Sequence, residues 1–278
     1  MIFHYAVLLV SVALREKIFF GVTFQRGSCM KIIRKNIYIV FIFFLLLTFS
    51  NAYSQWFVDV ETGPAFSGYN NVRIPRDTGT QFSLSKDLKT DSAFFFRLRL
   101  GYQIGQKHTL SVFVAPLSLN ASGIVNKSIR FFEEDFPADI PLKAVYRFNS
   151  YRLTYRYDFI RKENLRLGFG LTAKIRDASI SVEGNNQKSE KTNVGFVPLI
   201  NFRLEWFFAK KLSLLLDGDA LAAPQGRAED VLLALQLHLN EDLTLKAGYR
   251  ILEGGANVGE VYNFALIHFL IAGITYRF

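Results

Sequence analysis

Apolar and polar residues alternate along several long stretches of the chain after residue 54. From Phe94 to Tyr102 every even position is apolar or aromatic, and Arg97, Arg99 and Gly101 lie between them. The same period recurs over 151–158, 165–174 and 243–250. A period of two indicates β-strands, because successive side chains of a strand point to opposite faces of the sheet. The pattern predicts an all-β chain whose sheet has one apolar and one polar face.

The lengths of these stretches and of their connections narrow the choice of fold. Many alternating runs reach ten residues, whereas strands of soluble sheets usually have about five or six. Short connections, such as 105–107 and 240–242, alternate with longer ones at 67–91, 121–142, 184–193, 224–229 and 255–261. Short turns on one side and longer loops on the other are typical of transmembrane barrels. We therefore predict a transmembrane antiparallel up-and-down β-barrel.

The same pattern predicts about ten strands, with eight or twelve as alternatives. A short alternating piece at 81–85 leaves the number open, because it could pair beyond the membrane-spanning part. An even number of strands would place both termini on the periplasmic side. The predicted strands are 55–66, 92–105, 107–120, 143–160, 164–183, 194–209, 211–223, 230–240, 242–254 and 262–278.

The segment 30–54 has the pattern of a cleaved signal peptide. Lys31, Arg34 and Lys35 form a basic start, the apolar run 37–49 follows, and 52–54 (Ala-Tyr-Ser) places small residues at the cleavage site. The apolar run is shorter than the roughly 20 residues that a spanning helix needs. Because a signal peptide stands at a true N-terminus, we interpret 1–29 as a mis-annotated upstream extension. Residues 55–278 then form a single barrel domain.

Processing gives a direct prediction: the mature protein should begin at Gln55. Cleavage after Ser54 follows from the small residues at 52 and 54. N-terminal sequencing of the protein extracted from membranes measures this. Peptides from residues 3–24 in the mature protein would contradict it.

The net charge and the cysteine content argue against several classes of function. Residues 1–54 carry six Lys or Arg and one Glu, a net charge of 6 − 1 = +5, so only 27 − 23 = +4 of the total +9 belongs to residues 55–278. The basic excess therefore reflects targeting more than nucleic-acid binding. The only cysteine is Cys29, which excludes a disulfide framework or a Cys-based metal site after residue 54. We predict no metal, no cofactor and no nucleic-acid partner.

The last strand carries a family resemblance. The chain ends Ala-Gly-Ile-Thr-Tyr-Arg-Phe, with Ile274, Tyr276 and Phe278 at alternate positions. This end resembles the terminal strand of bacterial outer-membrane β-barrel proteins, which typically finishes in an aromatic residue. The resemblance implies an outer-membrane location, contact with outer-membrane lipid, and recognition of Tyr276 and Phe278 by the barrel-assembly machinery. It identifies no subfamily and says nothing of the oligomeric state.

The polar face of such a barrel lines its lumen. About ten strands enclose too little space for the open channel of a 16- to 18-stranded porin. We therefore expect the inward charges to pair and fill the lumen, with Arg203 and Arg250 as partners of Asp217 and Asp219. The predicted polar network comprises Arg203, Asp217, Asp219, Arg227, Glu229, Asp230, Arg250 and Glu253.

Two functions remain open. The first is a non-enzymatic barrel with a charged, plugged lumen that acts through its external loops in binding, envelope integrity or minor solute passage. The second is a hydrolase or lipid-modifying enzyme at the external face, for which paired carboxylates could activate water. Omptin proteases are ten-stranded and place a His with acidic residues at the external rim. This chain departs from that pattern, because His108, His238 and His268 are all predicted away from that rim.

Overall fold

The computed structural model describes residues 55–278, so the predicted segments 1–29 and 30–54 lie outside the described residues. The described part is built from β-strands joined by turns and loops. Its strands are β1 (Gln55–Arg73), β2 (Phe82–Ser83), β3 (Lys89–Thr90), β4 (Ala93–Ile104), β5 (His108–Ala115), β6 (Ser118–Ile124), β7 (Ile129–Phe131), β8 (Glu134–Phe136), β9 (Pro141–Arg161), β10 (Leu165–Gly184), β11 (Gln187–Ala209), β12 (Leu212–Ala223), β13 (Gly226–His238), β14 (Leu243–Val258) and β15 (Val261–Arg277).

The long strands close into an antiparallel ring. Neighbours in the chain pair from β9 to β15, and β15 then pairs with β1, which continues through β4 and β5 back to β9. The strands β5 and β6 act as one strand that is broken at Pro116, and both pair with β9. Proline interrupts the ladder because it has no N–H to donate. Counted in this way the ring has about ten strands, which confirms the predicted all-β barrel.

Three connections are much tighter than predicted. The predicted loops at 184–193, 224–229 and 255–261 shrink to turns at 185–186, 224–225 and 259–260, and the flanking strands continue instead. Asn185 and Asn186 have φ of 50° and 59°, the left-handed conformation that a two-residue hairpin turn requires. Asparagine adopts this conformation more readily than most residues. The prediction of long loops here was wrong. The paired strands continue into segments whose apolar and polar residues no longer alternate strictly, and each pair ends in a short hairpin turn.

The two remaining long connections fold into a cap. Residues 74–92 carry β2 and β3, and 125–140 carry the β7–β8 hairpin. Phe82, Phe131 and Phe136 are fully buried between these connections and the neighbouring strands. The piece at 81–85 does pair, since Val72 faces Phe82 at the far end of β1. We call this end of the barrel the cap end and the opposite end, where Trp56 bonds Phe278, the terminal end.

The two faces of the wall differ as the alternation predicts. Leu153 and Leu245 are exposed on the outer face, and Leu98, Leu167 and Leu214 are half-buried there. Positions between them are buried and polar, as with Thr154 beside Leu153 and Thr244 beside Leu245. Exposed aromatic side chains also lie on the outer face, among them Tyr155, Phe169, Trp206, Tyr276 and Phe278. An apolar exterior around a polar interior is the inverse of a soluble barrel and suits a lipid environment.

Within residues 55–278, no helix has the length and the apolar character needed to cross a bilayer.

Candidate functional site

A network of ion pairs fills the middle of the barrel, and Asp230 on β13 is at its centre. The Asp230 carboxylate accepts hydrogen bonds from Arg97 at 2.5 Å and from Arg250 at 2.6 Å, and also from Arg152. These three arginines lie on β4, β14 and β9, so one carboxylate ties together strands from opposite sides of the ring. All four side chains are buried. Arginine suits this arrangement because its planar fork offers several donors in fixed directions.

A second buried carboxylate, Glu61 on β1, extends the network toward the terminal end. It accepts hydrogen bonds from Arg250 at 3.0 Å and from Lys246 at 2.6 Å. The same Lys246 amino group donates to Asp59 at 2.7 Å. Asp59 and Glu61 were absent from the predicted network, although the alternation of the first strand places both on its polar face. Their place in the network could not be predicted, because it depends on Lys246 of β14, which is distant in the sequence.

Asp217 and Asp219 point inward as predicted, but only part of their predicted pairing is right. Asp217 lies 3.3 Å from Arg203 on the neighbouring strand and 3.2 Å from Arg99 on β4, across the lumen. Asp219 pairs with Arg152 at 2.7 Å, also across the lumen. Arg250 was the wrong partner, because Asp230 and Glu61 occupy it. A lumen this narrow lets a long arginine side chain reach strands that are not its neighbours.

An aromatic ring lies among the ion pairs that fill the lumen. Phe113 on β5 is buried, and the guanidinium carbons of Arg97, Arg99 and Arg152 lie 4.9, 5.3 and 4.9 Å from its ring centre. Guanidinium groups at this distance are attracted to the negative face of the ring. The ring thus separates like charges that would otherwise crowd the same section of the lumen. Nothing in the sequence singled out Phe113, because it occupies an inward position where the alternation predicts a polar residue.

The structure places the other predicted network residues outside the lumen centre. Arg227 donates two hydrogen bonds of 2.8 Å to Glu253 at the cap end of β13 and β14. Tyr69 of β1 also donates to Glu253. Glu229 forms no ion pair with any residue of 55–278. The predicted set therefore divides into a central group around Asp217, Asp219 and Asp230 and a separate group at the cap end.

A cavity opens above the network at the cap end. Its volume is about 670 Å³, and its walls come from strands β9 to β15 together with Ile74 after β1. Lys174 and Arg176 lie two residues apart on β10 and both line it. The Lys174 side chain is 2% exposed and forms no hydrogen bond or ion pair with the described residues; its amino group lies 4.8 Å from the ring centre of Phe148. A buried cation that lacks an ion pair in the described part of the chain and faces open space distinguishes this cavity from the network below it, where Arg97, Arg152, Arg250 and Lys246 each pair with a carboxylate.

The histidines of residues 55–278 do not form a hydrolytic triad with a serine and a carboxylate. His238 Nε2 lies 2.8 Å from the Ser213 hydroxyl near the terminal end, and Glu205 lies 3.5 Å from the same hydroxyl. The other ring nitrogen of His238 contacts Thr244 at 3.0 Å, so no carboxylate orients the imidazole as in a hydrolytic triad. Ser213 is 0% exposed, which keeps any substrate from its oxygen. The group is therefore part of the lumen filling.

The other two histidines of residues 55–278 form no ion pair with a described acidic residue, unlike His238, whose Nε2 lies 3.9 Å from Glu205. His108 lies 2.7 Å from the hydroxyl of Tyr155, and His268 contacts Tyr249 on the outer wall. Among residues 55–278, no cluster of His, Cys, Asp or Glu has the geometry of a metal site.

Comparison with known proteins supports the architecture. No model of a known protein family matches the chain, and no curated protein does. The structure of the outer-membrane protease OmpT from Escherichia coli matches with a TM-score of 0.55 and 10% identity, over 81% of this chain and 97% of OmpT. Neisserial surface protein A matches with a TM-score of 0.36 and 15% identity, over 80% and 97% of the two chains. At such identity the OmpT match shows that the chain has a barrel fold, and it shows nothing about chemistry.

Proposed function

We propose that this chain is an integral outer-membrane barrel that is closed to solute flow and binds a ligand at its external mouth. The apolar outer wall and the similarity to the fold of an outer-membrane protein support the location. Both termini would then face the periplasm, and the cap end would face the cell exterior. Assembly through the barrel-assembly machinery, with Tyr276 and Phe278 as the signal, belongs to the same proposal.

One observation carries the functional part: an open cavity stands directly above a plugged lumen. Beside the arginines around Asp230, the gap lined by Phe95, Pro116 and Asp230 has a volume of about 10 Å³, which is about the volume needed to hold one water. A solute that enters from the cap end would therefore stop in the cavity. A cavity that is closed at its inner end favours ligand binding over solute transport.

The alternative of a barrel hydrolase has less support. An enzyme at the external face needs a nucleophile or an activated water beside a base. No histidine lines the cavity within the described residues, and its acidic residues Glu253 and Glu260 pair with Arg227 and Lys191. The omptin arrangement of His and free carboxylates is not reproduced, even though OmpT shares the fold.

Thiol labelling of intact cells tests both the orientation and the plug. Residues 55–278 contain no cysteine, so single substitutions report without background. Ala223→Cys, in the cavity wall, should react with a membrane-impermeant maleimide added outside. Ser150→Cys, buried beside Arg152, should stay unreactive until the protein is unfolded. Gln106→Cys, in an exposed turn at the terminal end, should react only after the outer membrane is permeabilised.

Planar-bilayer recordings complete this test. The wild-type protein should produce no steady conductance, because the ion pairs span the lumen. Labelling of Gln106→Cys in intact cells would reverse the orientation, and failure to label Ala223→Cys would remove the external cavity. A stable open current through the wild-type barrel would contradict the plug.

A further inference from the structure

We propose that the cavity at the cap end binds a small amphipathic anion, a single carboxylate or phosphate joined to an apolar body, with Lys174 as the residue that binds the anionic group. The inference rests on the proposed external cavity and adds the class of ligand. Three features of the cavity support this ligand class. Lys174, at the floor of the cavity next to the lumen, has no ion pair with residues 55–278; the acidic residues at the outer rim, Glu253 and Glu260, are paired; and the wall between floor and rim is apolar.

The unbalanced charge belongs to Lys174. A buried ammonium without a partner costs several kcal/mol, so buried lysines are normally paired. Lys246, on the same inward side of the wall, shows the normal case, with Asp59 and Glu61 both within 2.7 Å. The nearest carboxylates to Lys174 belong to the central network, where arginines already occupy them. Its ammonium therefore has donors available for an anion that arrives through the cavity.

Arg176 adds a second incomplete cation above Lys174. One of its terminal nitrogens donates to Asn193, whereas its Nε is buried and has no partner. The acidic residues that line the same cavity do not balance these two cations. Glu253 is held by Arg227 and Tyr69, and Glu260 lies 3.0 Å from Lys191. The cavity thus presents net positive charge, which favours an anion over a neutral or cationic ligand.

The wall between floor and rim is apolar. Phe148, Tyr146, Leu221, Leu252 and Ile267 face the cavity from four different strands. The ring of Phe148 lies against the Lys174 amino group, so the apolar surface begins directly at the charge. A volume of about 670 Å³ is in the range of pockets that hold small organic ligands, roughly 300–1,000 Å³. An anionic group bound at Lys174 would leave its apolar body against this wall.

The test compares three water-soluble probes on the protein in phospholipid nanodiscs by isothermal titration calorimetry. The probes are 4-phenylbutyrate, its neutral analogue 4-phenylbutanol, and acetate, which has the anionic group without the apolar body. We expect 4-phenylbutyrate to bind at least tenfold more tightly than either of the others. A charge-assisted contact corresponds to roughly ten- to hundredfold in affinity.

Three substitutions locate the site. Lys174→Met should weaken 4-phenylbutyrate by roughly ten- to hundredfold while the barrel folds normally, because it removes an unpaired charge. Lys188→Met, at an exposed lysine on β11 of the same hairpin, is the matched control and should leave binding unchanged. Val197→Trp, directly opposite Lys174 on β11, fills the cavity and should abolish binding with Lys174 still present.

Each outcome decides the question. Equal binding of the acid and the alcohol would show that only apolar surface is recognised, and equal binding of acetate would show a plain anion site; either overturns the proposal. Absence of 4-phenylbutyrate binding, or binding unaffected by Lys174→Met, also overturns it. If Ala223→Cys still labels from outside and the barrel stays non-conducting in that case, only the ligand class fails. If that labelling fails as well, the proposed function fails too.

Discussion

Asp230→Asn is expected to lower the free energy of unfolding by about 3–5 kcal/mol, the usual effect of removing one member of a buried ion network. The substitution keeps the shape of the side chain and removes the charge that faces Arg97, Arg152 and Arg250. Three guanidinium groups would then lie close together in a dry lumen with less compensation. Urea titration of the protein refolded in phospholipid vesicles measures the change, and the heat-dependent shift of the folded band on gels gives an independent reading.

The neighbouring residue provides the control. Glu229→Gln removes the same charge from the same strand, but Glu229 forms no ion pair within residues 55–278. Glu229 is half-buried and its replacement breaks no ion pair with the described residues, so we expect a change within about 0.5 kcal/mol. If Asp230→Asn were no more damaging than Glu229→Gln, the network would not stabilise the barrel. The buried charges would then need a different explanation, such as a catalytic or ion-binding use.

Leu233→Arg on the outer wall should cost about 2–4 kcal/mol if the wall meets lipid at mid-membrane depth. Leu233 is 50% exposed on β13, five positions before the strand ends at His238. In a soluble barrel an arginine at such an exposed position would cost little, so the expected loss is itself evidence for the bilayer. Unfolding in urea, with vesicles present, gives the free energy directly.

A second leucine on the outer wall, nearer the membrane surface, provides the control for this prediction. Leu239 is 43% exposed at the terminal end, one residue beyond the same strand. Because the cost of arginine falls to about 0–1 kcal/mol near the interface, Leu239→Arg should be mild. Equal costs for Leu233→Arg and Leu239→Arg would argue that the wall does not cross a bilayer in the proposed register.

In the proposed function, the charges in the lumen close the barrel and the charges at the cap end bind the ligand. Around Asp230 the three arginines Arg97, Arg152 and Arg250 all pair with the carboxylate, so none of these three cations lacks an acidic partner. Lys174 stands at the boundary, facing its neighbour Arg152 across the β9–β10 pair but lacking a carboxylate of its own. The ion pairs therefore form the floor of the cavity, and we propose that Lys174, which lacks an ion pair with the described residues at that floor, determines which ligands bind.

The alternation of residues was sufficient to predict the barrel, its approximate strand number and the direction of most wall side chains. Strand periodicity is a local property of the backbone, so residues such as Leu153, Leu245 and Asp217 could be assigned to a face without knowledge of their neighbours. The turn at Asn185 and Asn186 was misread as part of a loop, because its compactness depends on left-handed backbone geometry that the polarity pattern does not show.

Partners across the lumen and the shape of the cap could come only from the tertiary structure. Which inward residues meet depends on the stagger of the strands around the closed ring, which brings Arg99 to Asp217 and Arg152 to Asp219 and Asp230. That stagger is a property of the whole sheet and is not encoded in the period of any one strand. The cavity has the same origin: the alternation over 165–174 is a local property, but only the closed barrel shows that no carboxylate of residues 55–278 pairs with Lys174.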